Sequence, residues 1–332
     1  MVYEMILAPV TNDNARNSEA SAIKIKGDRV LLAWSDFYGG PTDFSAARIS
    51  AVISSDSGRK WGEKFTLVEN ASVVNTMMPS FLRLQSGELA LFYLKLEDVA
   101  DSRIFVRKSY DEGTTWTGEI CVTPDKGFHS PANDRCIQLR DGRIVMPDSV
   151  DTTFWPNSLN TQLRCYYSDD AGNTWQQGSG DQEVPGGGAE PVIVERKDGS
   201  LLMIIRTRLS HIYHCDSFDL GDTWSVPKPM DLAAAYSPPN MKRIPNTGDL
   251  LLVWNHSLDI RKRSPLTSAI SKDDGETWEH VRNLETNDKH AFAYPSITFL
   301  DDEVLLTYYR SRYEITGWEL KLKIIPTDWF YQ

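Results

Sequence analysis

The chain has 332 residues, 41% of them hydrophobic and 24% charged, with a formal net charge of −11. That length and apolar fraction suffice for a full core, and an acidic chain without a Lys/Arg run excludes a polyanionic nucleic-acid partner. The four cysteines (Cys121, Cys136, Cys165, Cys215) lack metal-ligand or disulfide-framework spacing and read as buried small apolar residues; no stretch approaches the roughly 18 apolar residues of a membrane span.

The start, MVYEMILAPVTNDN, has no basic segment followed by a long apolar one, so as written the protein is expected to be cytoplasmic, or secreted or periplasmic if a leader was trimmed. Six stretches then repeat one form, apolar alternation around a Gly or Asp turn: AIKIKGDRVLLAW, SFLRLQSGELALFY, RCIQLRDGRIVMPD, PVIVERKDGSLLMIIRT, PNMKRIPNTGDLLLVWN and PSITFLDDEVLLTYYRS. Their turns fall at Gly27, Gly87, Gly142, Gly199, Gly248 and Asp302, and each reads as a β-hairpin. Interleaved with the first five hairpins is a second repeat, S-x-D-x-G-x-x-W, at SSDSGRKW, SYDEGTTW, SDDAGNTW, SFDLGDTW and SKDDGETW. Its aspartates, Asp56, Asp111, Asp170, Asp219 and Asp273, are 55, 59, 49 and 54 residues apart, a period that marks a repeat fold. Within the octet, Ser and Asp bond to local backbone N–H groups, Gly takes φ > 0 and Trp packs back, so these residues serve their own turn. The sixth hairpin has no octet and ends in GWELKLKIIPTDWF; closure of the ring calls on the N-terminal VYEMILAP for its missing outer strand.

The octet is the Asp box, and with five copies the chain resembles the exo-sialidase (neuraminidase) superfamily. The resemblance implies an all-β fold, a six-bladed β-propeller with five Asp boxes closed by the N-terminal strand, as a single domain over residues 1–332. In that fold, residues entering the first strand of each hairpin (Glu19, Met78, Asp134, Glu190, Asn240, Tyr294) and residues leaving its second strand meet around the central channel, which is where a site is expected.

Several positions match the family's motif. Tyr294 enters the last hairpin where the family carries its nucleophile, and Glu190, followed by a DG turn and Arg206, stands where the family carries the partner of that tyrosine. Arg263, eight residues before Ser271, matches a substrate arginine; Asp43, with Asp36 as second candidate, matches the acid/base aspartate between the first hairpin and the first octet. The chemistry coheres. An anionic nucleophile would be repelled by a ketoside that bears a carboxylate, and a neutral tyrosine deprotonated during attack by Glu190 avoids this. Asp43 would protonate the leaving oxygen, Arg206 and Arg263 would grip the carboxylate with a guanidinium geometry that lysine lacks, and Arg208, leaving the fourth hairpin, is a further substrate-binding candidate.

One position departs from the pattern. Where the family carries a third arginine entering the first hairpin, this chain has Glu19, with Arg16 three residues earlier as the substitute. Arg135 enters the third hairpin and is either a further anion contact or turned away. His129, His256 and His290 read as rim residues, and Trp34, Trp155 and Trp254 as sugar-stacking or core residues. The leading expectation is an exo-acting retaining glycoside hydrolase of sialidase type acting on a terminal acidic sugar of a glycan, with no cofactor or metal; the oligomeric state stays open. Two alternatives stand beside it: a glycosidase or lyase for another sugar using Glu19, Glu190 and Asp36 or Asp43, and a non-catalytic carbohydrate-binding propeller.

Overall fold

The computed structural model describes residues 1–151, 161–184, 186–314 and 317–332. Alternating apolar residues fold into antiparallel hairpins around the Gly and Asp turns. Arg16–Lys24 pairs with Val30–Phe37, Asn75–Arg83 with Leu89–Asp98, and Ile137–Gln138 with Ile144–Asp151. Gly188–Glu195 pairs with Leu201–Thr207, Asn240–Arg243 with Leu250–Asn255, and His290–Leu300 with Glu303–Arg312. The described strands form five small sheets in a propeller-like arrangement: three of four strands, one of six and one of eight. The eight-stranded sheet joins the end of the chain to its start. Tyr3–Ala8 runs antiparallel along Trp318–Pro326, the pairing expected of VYEMILAP, and Trp318–Pro326 touches Arg16–Lys24 through a single parallel pair, Arg16 with Trp318.

The core lies in apolar layers between neighbouring sheets. One layer packs Leu31, Ala33, Ile49 and Ala51 against Phe81, Leu89, Leu91 and Tyr93; another packs Leu251, Val253 and Ile270 against Ile297, Val304 and Leu306. Cys136, Cys165 and Cys215 are buried in this core, but Cys121 is only half-buried, because its two-residue strand lies at a sheet edge.

The serine and aspartate of each octet bond within their own turn. In all five, Ser Oγ accepts from the Gly N–H at 2.8–2.9 Å. The same hydroxyl donates to Asp Oδ1, which accepts the N–H four residues after it at 2.7–2.9 Å. The glycines sit at φ between 82° and 96°, which only a residue without Cβ adopts freely.

Candidate active site

One backbone device recurs where the chain enters the hairpins, and it brings Met78, Glu190 and Tyr294 to one cavity. Glu19, Met78, Asp134, Glu190 and Tyr294, which entered their strands as equivalents in the sequence, all have φ between 46° and 58°. Register shifts at Ser18/Ser21, Met77/Ser80, Ala189/Val192 and Ala293/Ser296 show that four of them occupy β-bulges. A left-handed residue other than glycine costs on the order of 1–3 kcal/mol and persists where its surroundings over-determine it. Two of the bulges show how: the Met78 N–H donates to Ser35 Oγ at 2.9 Å and the Glu190 N–H to Ser149 Oγ at 3.1 Å, each serine coming from the preceding hairpin. Asn240 differs, since its strand pairs in unbroken register, and its amide instead donates to Asp134 and to the Pro295 carbonyl.

Four of the expected residues meet at the floor of a cavity on the side opposite the hairpin turns. The Tyr294 hydroxyl donates to Glu190 Oε1 at 2.9 Å, and Arg206 pairs with Glu190 Oε2. Arg263 donates to the Tyr309 hydroxyl at 2.7 Å, and its guanidinium lies 5.9 Å from the centre of the Tyr294 ring. Burial and the Glu190 charge push the Tyr294 phenol well above its usual value, with Arg206 and Arg263 pulling the other way, so the residue is a neutral phenol at ordinary pH. Burial also works against the Arg206 charge, but Glu190 outweighs it and holds the guanidinium protonated. Arg263 has no carboxylate partner among the described residues and faces Arg206, so the floor presents two cations to an incoming anion.

Asp43 and Arg208 reach the same cavity. Asp43 is half-buried and accepts from Arg16 at 2.6 Å; Arg208 is exposed and stacks 4.9 Å over Tyr236. Arg16 lies behind the wall, sandwiched between Phe37 and Trp318 at 4.2 and 3.9 Å, and its other hydrogen-bonding arm is taken by Glu19 at 2.5 Å. Burial pushes the Glu19 carboxyl up, although Arg16 and Ser18 oppose that shift. Neither Glu19 nor Asp36 lines the cavity. Asp36 is fully buried within a ring of Asn14, Arg48, Ser50 and Lys64, because its strand alternation turns it away from the axis. Arg135 is fully buried as well and does not line the cavity.

His129 is buried and bonded to Asp148 at 2.6 Å rather than placed on the rim, and Trp34 and Trp254 are buried with their indole N–H groups bonded to Asn17 and Ala233. Trp155 lies outside the described residues. The sequence reading missed Tyr236, whose ring lies 3.8 Å from the Arg206 guanidinium, and Trp318, which stacks on Tyr309 at 4.4 Å and forms one wall. Neither stands at a repeat-defined position, so no periodicity marks it. A larger cavity, about 640 Å³, opens on the hairpin-turn side; it holds no tyrosine, and its single carboxylate, Glu195, is bonded to Arg140. Among the described residues no group of three or more His, Cys, Asp and Glu is placed to hold a metal ion.

Comparison with known proteins places this geometry in context. The family model of the BNR repeat-like domain matches residues 27–306. A sialidase of Paraclostridium sordellii is 28% identical over 253 residues, 66% of this chain and 60% of that protein; a sialidase of Micromonospora viridifaciens is 26% identical over 339 residues, 90% of this chain and 50% of that protein. The chain thus spans about half the length of the curated relatives it matches. Among solved structures, Trypanosoma rangeli sialidase superposes with a TM-score of 0.79 at 15% identity, covering 97% of this chain and 59% of that one, a likeness of fold.

Proposed function

Because the chain belongs to the BNR repeat-like domain family within the sialidase superfamily, we propose that it is an exo-acting retaining glycoside hydrolase of sialidase type, releasing a terminal acidic sugar of the sialic-acid class from a glycan. The observation that carries this reading is the Tyr294–Glu190–Arg206 chain at the cavity floor, with Asp43 at the wall and Arg263 free of any described carboxylate. Tyr294 Oη attacks the anomeric carbon while its proton passes to Glu190, and the bond to the leaving oxygen breaks as Asp43 protonates that oxygen. Asp43 then takes a proton from water, the water oxygen attacks the same carbon, the bond to Tyr294 breaks and Glu190 returns the proton to the phenolate. Arg206 and Arg263 grip the substrate carboxylate, and Arg16, expected as a third arm, lies behind the wall and holds Asp43 instead.

We further infer a single propeller domain over residues 1–332 with six blades and five Asp boxes. Dividing the eight-stranded sheet at its lone Arg16–Trp318 pair leaves two four-stranded units beside the other four sheets, which supports that count. The burial of Glu19 against Arg16 and Ser18 speaks against a mechanism in which Glu19 is a working carboxylate.

The test is hydrolysis of a fluorogenic aryl α-sialoside by wild type and by Tyr294→Phe, with folding checked by circular dichroism. Turnover in wild type and its loss by roughly three orders of magnitude or more in the variant are expected. A folded wild type without turnover rejects the assignment.

A further inference from the structure

Arg135 stands out among the buried arginines. Arg16 and Arg206 are matched to carboxylates, but none of the three guanidinium nitrogens of Arg135 has a hydrogen-bond partner among the described residues, although the side chain is 1% exposed. It follows the left-handed Asp134, a place where other hairpins carry Ala20, Pro79, Pro191 and Pro295, so the fold itself asks for a small or apolar residue there. Its segment is pinned against the reacting couple: the Asn133 amide donates to the Tyr294 carbonyl at 3.4 Å and to the Ala20 carbonyl at 2.5 Å, and the Arg135 N–H donates to Ser80 Oγ at 2.9 Å. Burial pushes the Arg135 guanidinium down to about 10, while Glu190, Asp134 and Tyr294 favour its charge, so it is a cation at neutral pH.

An unpaired buried charge is costly to a fold, and neither neighbouring acid depends on this one. Glu190 already has Arg206, and Asp134 already has Lys242 at 2.7 Å together with Asn240 and the Ile297 N–H. We propose that Arg135 is a positioning residue for the Tyr294–Glu190 couple: a cation held without acceptors behind the cavity floor, acting on the couple's negative charge and neither touching substrate nor holding the fold together. The inference rests on the sialidase reading. When a substrate carboxylate takes Arg206 and Arg263, their charge is offset and the anionic sugar repels the negative charge that passes from Glu190 to the attacking oxygen. Arg135 lies off the cavity wall, so its charge stays uncompensated and opposes that repulsion.

The experiment compares wild type, Arg135→Met and Arg135→Lys in thermal unfolding and in aryl α-sialoside hydrolysis at about pH 4.5, below the range of about 5–6 in which a fully desolvated lysine loses its proton. Arg135→Met is expected to unfold at a higher temperature than wild type, because an apolar chain of similar length replaces an unpaired charge. Its kcat is expected to fall roughly 10–100-fold with KM within about twofold of wild type, and Arg135→Lys to recover most of kcat. A lower melting temperature or failure of Arg135→Met to fold makes the residue a structural one and overturns the proposal; so does a raised KM with kcat retained, the mark of a substrate ligand, or an unchanged kcat. Absence of turnover in a folded wild type rejects the sialidase reading instead, and the direction of the Arg135→Met melting shift still decides whether the charge burdens the fold.

Discussion

The octet turns and the cavity floor are both built from serines, carboxylates and aromatic residues, yet they satisfy their polar groups in opposite ways. Asp219 bonds to Ser217 and Thr223, all within seven residues. Glu190 bonds to Tyr294, 104 residues away, takes its backbone partner from Ser149 in another hairpin, and sits at a φ of 47° that the octets reserve for their turn positions. A turn that closes on itself can be copied five times without regard to its neighbours. A floor assembled from single residues of several hairpins exists once, and it joins Tyr294 and Arg206 through the buried carboxylate of Glu190.

The sharpest way to separate the two regions is a substitution that damages one and spares the other. Arg263→Lys is expected to raise KM for an aryl α-sialoside roughly 10–100-fold, since an ammonium cannot reproduce the guanidinium fork on a carboxylate. Because Arg263 leaves no described carboxylate unpaired, the melting temperature should stay near that of wild type, whereas a fall in stability with KM unchanged would make it a structural arginine.

This contrast also explains what the sequence disclosed. The octets were legible because the serine and aspartate of each find their partners within it, and the hairpins because alternation and a turn residue are local facts. Glu190 and Tyr294 were legible through the family motif, but not the reason they point inward: the bulges put non-glycine residues at positive φ, and no glycine marks the place. Asp36 stood as the second candidate to Asp43, and only the pairing of its strand shows that it turns towards Ser50 and Lys64. Arg135 was ambiguous for a related reason, since it follows the left-handed Asp134 and precedes the paired strand, so no alternation fixes its direction.

Ser217→Ala is the converse of the arginine substitution. It removes the acceptor of the Gly221 N–H, a buried donor bonded at 2.9 Å, and should cost about 1–3 kcal/mol, at about 2–4 °C of melting temperature per kcal/mol. Here kcat and KM should match wild type. A kinetic effect without a stability effect would mean that the octets are not the self-contained units their hydrogen bonds describe.

The smallest expected effect tests the octet charge alone. Burial pushes the Asp170 carboxyl up, but hydrogen bonds from the Thr174 N–H and hydroxyl, Ser168 and the Asn173 N–H outweigh it and hold it at about 2, against a usual 3.8. The unfolded chain therefore takes up this proton first as pH falls, so the stabilisation is complete above the unfolded value and disappears as pH drops through about 2. Melting temperatures of wild type and Asp170→Asn should differ most above about pH 4 and converge towards pH 2. A gap of constant width down to pH 2 would show that the turn is held by the geometry of the side chain and not by its charge, and would remove the one electrostatic term that the octets share with the carboxylates of the floor.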